Sequence, residues 1–202
     1  MLVLAIDTAT SHPALALANG VFEGETDLPA GSPSSESLLP AVAGLLARAG
    51  LVLGDVGRIV ACSGPGSFTG IRVGLATAWG LSRSLGVPLE TIGSLEAVAE
   101  TVRASGDATV HARIEAERGD AYVAEYDVTG PRACEVDAPR MAVAGTPGPA
   151  AGFVTARTAG SPSPALAAAR AVLRSPGAEA AVPRALYVRL SAAEERDGVT
   201  RA

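Results

Sequence analysis

Arg58-Ile59-Val60-Ala61-Cys62-Ser63-Gly64-Pro65-Gly66-Ser67-Phe68-Thr69-Gly70-Ile71-Arg72-Val73-Gly74-Leu75 decides the fold. A short apolar run rich in strand formers meets three glycines and a proline, and a helical pattern then continues to Leu85. The stretch reads as strand, glycine loop, helix. In that helix Ile71, Val73, Leu75, Ala76, Ala78, Trp79, Leu81 and Leu85 cover nearly the whole circumference, and only Arg72 and Arg83 are charged, so something must bury it. Gly70 and Gly74 lie one turn apart with Ala78 a turn further on. This stripe has almost no side chain, at a helix-propensity cost of roughly 1 kcal/mol per glycine relative to alanine. The expected tenant of the stripe is a second helix, from this chain or a partner.

Toward the amino terminus, Leu2–Ile6 is a continuous apolar run closed by Asp7, the pattern of a central strand with an acid at its carboxyl end. Ala14–Ala18, the Asn19-Gly20 turn signal and Val21–Thr26 add two antiparallel strands. After a Pro/Ser loop, in which Ser34, Ser35 or Ser37 is placed to cap a helix, Leu38, Leu39, Val42, Leu45, Leu46 and Ala49 form an amphipathic stripe that stops at Gly50. Toward the carboxyl terminus, Gly86-Val87-Pro88 ends the central helix, Leu89–Ile92 reads as a strand, and a helix follows from Ser94 or Leu95 to Ala104. Three antiparallel strands followed by two crossover units is the order of a ribonuclease-H-like lobe.

Ser105-Gly106-Asp107 breaks the chain, and a strand order restarts with Ala108–Ile114, a turn over Glu115–Asp120, Ala121–Tyr126 and Ala133–Val136. From Met141 to Pro183 the composition shifts to Ala, Gly and Pro, with a strand at Gly152–Ala156 and a helix at Ala165–Arg174. The chain ends in a short ordered segment at Ala185–Arg189 and a polar tail. The order therefore predicts two lobes, residues 1–104 and 105–202, the second of them shortened.

Of 202 residues 48% are hydrophobic and only 3% aromatic, so the core must be built from Ala, Val, Leu and Ile. The net charge is -5 and no arginine cluster stands out, which argues against direct nucleic-acid binding by this chain alone. All basic residues are Arg. That excludes a phosphate loop or Schiff base that needs the chain's own lysine. Cys62 and Cys134 show no paired spacing, and Cys62 in its apolar strand reads as a small buried thiol. With no charged leader and no apolar run near 18 residues, neither a signal peptide nor a membrane span is expected, and the protein is placed in the cytoplasm.

Four blocks, Ala5-Ile6-Asp7-Thr8-Ala9-Thr10, Gly64 to Gly74, Ile114 to Tyr122 and Tyr187-Val188-Arg189, resemble in that order the bacterial TsaB (YeaZ) family. The resemblance implies an α/β chain of the actin-like ATPase (ASKHA) fold with two ribonuclease-H-like lobes. It also implies a non-catalytic dimerisation subunit in the formation of N6-threonylcarbamoyladenosine at position 37 of tRNAs reading codons that begin with A. Its partners would be a TsaD-like catalytic paralogue, a TsaE-like ATPase and a second copy of itself when alone, with tRNA met only through the complex. The implied interface lies on Leu38, Val42 and Leu45 of the first helix, and on Gly66, Ser67, Phe68, Thr69, Gly70, Ile71, Arg72, Gly74, Leu75 and Ala78 of the loop and central helix. No cofactor is expected for the chain alone, with ATP and Mg²⁺ candidates for the complex interface. The family pattern is broken at Ser34-Ser35-Glu36, at Glu115 and at Ala156–Gly160, which argues against a nucleotide contact from the second lobe.

Other readings of the same residues are blander. An ATPase or small-molecule kinase of this fold would use Asp7, Thr8 and Gly64 on nucleotide, but Ala9 stands where such loops have glycine, and Asp7 is read as a structural acid. Gly64, Gly66 and Gly70 miss the dinucleotide spacing by one residue, favouring a packing and docking loop. Ser67 is not in a nucleophile elbow. His12 and His111 sit on different segments, so no metal site is expected. Glu115, Glu117, Arg118 and Asp120 read as a solvated hairpin tip. Trp79 is either core or an interface anchor.

Overall fold

The computed structural model describes residues 1–29, 33–103, 106–116, 119–145, 148–149, 152–156, 161–177 and 182–186. Glu117, Arg118, Tyr187-Val188-Arg189 and the polar tail lie outside them, as do residues 157–160.

Strands β1 (Leu2–Asp7), β2 (Ala14–Ala18) and β3 (Glu23–Asp27) form an antiparallel meander. Helix α1 (Ser34–Arg48) leads to β4 (Val56–Cys62), α2 (Phe68–Leu85) to β5 (Leu89–Ile92), and α3 (Ser94–Glu100) follows. Strands β4 and β5 join in parallel, giving the order β3-β2-β1-β4-β5. A second sheet is built from β6 (Thr109–Glu115), β7 (Ala121–Asp127), β8 (Cys134–Ala142) and β9 (Val154–Thr155), in the order β8-β7-β6-β9. Here too three antiparallel strands precede a parallel addition to the first. The two sheets repeat one ribonuclease-H-like plan, and together they make the actin-like α/β fold.

β1 is buried along its whole length because α1 and α2 pack together over the first sheet while α4 (Pro164–Arg174) packs across β1, β2 and β4 from the other side. A strand with no wet face reads as an unbroken apolar run. The alanines of α4, among them Ala165, Ala168, Ala169 and Ala171, let the helix lie close to the sheet, and Ser163 caps it by accepting the Leu166 N–H. Two helices change sheets. α3 follows β5 of the first sheet yet buries Leu95, Val98 and Ala99 against the second, while α4 follows the second sheet and completes the core of the first.

Several boundaries differ from expectation for local reasons. α1 begins at Ser34 with Pro33 at its cap, so none of the serines caps it, and the Ser37 hydroxyl donates to the Pro33 carbonyl. β3 begins at Glu23, because Asn19 Oδ1 accepts the amides of Val21 and Phe22 and holds Asn19–Phe22 as a four-residue turn. β8 runs on to Ala142, past the expected end at Val136, with a register shift near Pro139. A solvated edge strand needs no apolar alternation and tolerates a proline at a bulge.

Candidate protein-docking face and glycine loop

The glycine loop is explained by what lies against it. A Cβ on Gly66 would fall 2.1 Å from the Ala9 carbonyl oxygen, one on Gly70 1.9 Å from that of Thr8, and one on Gly74 2.2 Å from Thr8 Oγ1. Gly64 meets the Leu186 carbonyl oxygen in the same way, and at φ +103° holds a backbone conformation that suits glycine. Hydrogen bonds fasten the pieces: Thr8 Oγ1 donates to the Gly70 carbonyl at 2.7 Å, the Ser67 amide to the Ala9 carbonyl at 2.8 Å, and the Leu186 amide to the Ser63 carbonyl at 2.6 Å. Ser67 Oγ accepts the Gly70 N–H and so caps α2. The expected helix tenant of the glycine stripe is thus corrected. The tenant is the turn after β1 in this same chain, and the stripe is closed to a partner.

Asp7 is fully buried at the end of β1. Its Oδ1 accepts the amides of Ala9 (2.9 Å) and Thr10 (3.3 Å), and its Oδ2 accepts the Thr10 hydroxyl (2.6 Å). Burial pushes the carboxyl above its ordinary range, against these hydrogen bonds and one from Cys62. The Cys62 thiol is pushed well up by burial, then by the negative charges of Asp7 and Glu96. Asp7, Thr8 and Gly64, the residues expected to touch nucleotide, therefore all make hydrogen bonds within the chain. Among the described residues no group of three or more His, Cys, Asp or Glu is placed to hold a metal ion. No described helix is long and apolar enough to cross a membrane.

The expected interface residues divide by exposure. Leu38, Val42, Leu45, Gly70, Ile71, Gly74, Leu75 and Ala78 point into the chain's own core. They are used mainly in the chain's own packing. Gly66 and Phe68 are half-buried, and Ser67, Thr69 and Arg72 are exposed, with the Arg72 guanidinium 3.7 Å over the Phe68 ring. The outer face of the helix pair is made by other residues: Leu39, Pro40, Ala43 and Ala47 on α1, and Arg72, Ala76, Trp79, Gly80 and Arg83 on α2. Leu39 is 55% exposed and Trp79 43% exposed. Gly80 has nothing within 4 Å of a built Cβ, and Gly44 on α1 has only the tip of the Arg48 side chain. Val182, Pro183 and Ala185 lie at the edge of this face, and with Arg72, Leu75, Ala76 and Trp79 they line an apolar groove of about 260 Å³. An exposed surface of small and apolar side chains with an aromatic anchor is what a helix-on-helix interface uses. The cue missed in the sequence was the phase of α2. With both faces apolar, only the pairing of Trp79 with Gly80 marked the outer one.

The domain model of TsaD, tRNA N6-adenosine threonylcarbamoyltransferase, matches residues 29–157. The tRNA threonylcarbamoyladenosine biosynthesis protein TsaB of Escherichia coli is 36% identical over 128 residues, a match spanning 62% of this chain and 55% of that protein. This chain thus covers little more than half the length of that relative. An uncharacterised protein of Mycobacterium tuberculosis is 37% identical over 163 residues, or 75% of each chain. The solved structure of YeaZ from Pseudomonas aeruginosa superposes with TM-score 0.63 at 28% identity, over 69% of this chain and 66% of that one. The crystal structure of an uncharacterized protein with similarity to peptidase YEAZ from Pseudomonas aeruginosa shares the fold with TM-score 0.75 at 24% identity, over 93% of this chain and 99% of that one.

Proposed function

Because the chain belongs to the TsaB (YeaZ) family, within the threonylcarbamoyltransferase (TsaD) domain family, we propose that it is a non-catalytic dimerisation and scaffold subunit. It supports N6-threonylcarbamoyladenosine formation at position 37 of tRNAs reading codons that begin with A. The observation that carries this reading is the outer face of α1 and α2, where Leu39, Ala43, Ala76, Trp79 and Gly80 are exposed together. A partner backbone can approach Gly80 closely, and Trp79 supplies an anchor. The partner is a TsaD-like catalytic paralogue, exchanged for a second copy when the chain is alone, with a TsaE-like ATPase joining the assembly. tRNA is met through the complex, in keeping with the net charge of -5. ATP and Mg²⁺ belong to the shared interface, because the carboxylate oxygens of Asp7 and the hydroxyl of Thr8 are already used within the chain.

The test is the threonylcarbamoyladenosine content of tRNA, measured by mass spectrometry, in cells depleted of this protein. The modification falls on depletion, returns with the wild-type chain and does not return with Gly80→Gln. Unchanged modification after depletion would dismiss the proposal.

A further inference from the structure

The turn between β7 and β8 is gripped by charged side chains from three other elements. Arg132 at its tip donates from Nη1 to Glu90 Oε1 on β5 and from Nε to Glu96 Oε1 on α3, both at 2.5 Å. Glu90 is 1% exposed. It also accepts the Gly177 amide at 2.9 Å and Arg58 Nη1 at 3.3 Å. Glu100, at the end of α3 and equally enclosed, accepts the Ala133 amide at 2.6 Å, both Nε and Nη2 of Arg103, and Nη2 of Arg174 at the end of α4. The backbone carbonyls of the turn are taken as well. Arg103 Nη1 donates to Val128 at 2.5 Å and Gly130 at 2.6 Å, and Arg174 Nε donates to Pro131 at 3.0 Å.

Glu90 belongs to the first sheet, Arg132 to the second, and Glu100 and Arg174 to the two helices that change sheets. Each buried carboxylate accepts at least three hydrogen bonds, and the turn supplies the Arg132 guanidinium to Glu90 and the Ala133 amide to Glu100. Lifting the turn would take Arg132 from Glu90, leaving it Arg58 and the Gly177 amide, and the Ala133 amide from Glu100, so each buried carboxylate would be short of a partner, which is unfavourable. Hinged α/β folds of two halves move by rotation at such a junction, commonly around a ligand.

We propose that this cluster is a permanent latch, which locks the β7–β8 turn onto β5, α3 and α4 and holds the two sheets in one fixed arrangement without help from any ligand. The chain then presents its outer helix face in a single orientation and does not open or close around nucleotide.

The experiment places spin labels on Val52→Cys, exposed between α1 and β4, and Ala138→Cys in β8, in a Cys134→Ser background diluted with excess unlabelled chain so that each distance lies within one chain, and measures their distance distribution by pulsed electron resonance. The latched chain gives one narrow distribution, unchanged by millimolar Mg-ATP. Arg132→Met broadens it or splits it into separate populations while circular dichroism stays as in the parent, and Arg174→Gln, on a half-exposed side chain, does so to a smaller degree. A wild-type distribution that is already broad, or that shifts with Mg-ATP, overturns the latch. So does a narrow distribution in both variants.

Discussion

Asp7 is fully buried at the end of β1, and pH reads that directly. Burial raises its carboxyl above the ordinary value, so the folded chain holds a proton that the unfolded chain gives up. The stability linked to Asp7 is full below the unfolded pKa of about 4 and is lost as pH rises through the folded value. Asp7→Asn removes this dependence. Urea denaturation across that range should show the variant gaining on the wild type as pH rises, and a difference that stays flat or runs the other way would contradict the assignment. Gly70 and Gly74 give a second residue-scale prediction. An added methyl meets Thr8 O or Thr8 Oγ1 well inside contact distance, so Gly74→Ala should lose about 1–3 kcal/mol by overpacking in urea unfolding, despite alanine's better helix propensity. That the glycine stripe admits a closely packed backbone, which Gly70 meets at the Thr8 carbonyl, was legible in the sequence. Which backbone was not, because Thr8 and Ala9 lie some 60 residues away and nothing local points to them.

At the scale of elements, α2 shows why an all-apolar helix is ambiguous. Its inner face is set by Ile71, Gly74, Leu75 and Ala78 against the sheet, and its outer face by Ala76, Trp79 and Gly80. Gly80 is a mid-helix glycine with open space around it, so Gly80→Ala should stabilise the isolated chain by about 1 kcal/mol in thermal or urea unfolding. A loss there would mean that this glycine serves the chain's own packing and not a partner. Strands with two buried faces, such as β1 and β4, were legible from continuous apolar runs. β2, whose alternation of Ala and Leu is apolar at every position, was read by its pattern and the Asn19-Gly20 signal. β8 was legible only in its first residues, because Glu135, Asp137, Pro139 and Arg140 carry no apolar period on an edge that faces water.

For the whole molecule, the two sheets are joined by exchange. α3 and α4 each complete the core of the sheet that their sequence position would not suggest, and the Arg–Glu cluster closes over their carboxyl ends. None of these charges formed a motif. Apart from Arg103 and Glu100, three residues apart, the paired charges lie 32 to 74 residues from each other and meet only once the fold is complete. Removing Arg132 leaves buried Glu90 with only Arg58 at 3.3 Å and the Gly177 amide, so Arg132→Ala should cost about 1–3 kcal/mol in equilibrium unfolding. A cost below about 1 kcal/mol would place the pair with solvent-screened surface bridges instead.

The central claim, that the outer face of α1 and α2 docks a catalytic paralogue, is tested most directly by size-exclusion chromatography with light scattering. The chain is run alone and mixed with the TsaD-like protein of the same source, as wild type and as Gly80→Gln. The account predicts a homodimer that gives way to a stable mixed complex, with both assemblies lost in Gly80→Gln while the variant remains folded. A monomer that ignores the paralogue, or a mixed complex undiminished in Gly80→Gln, would contradict it.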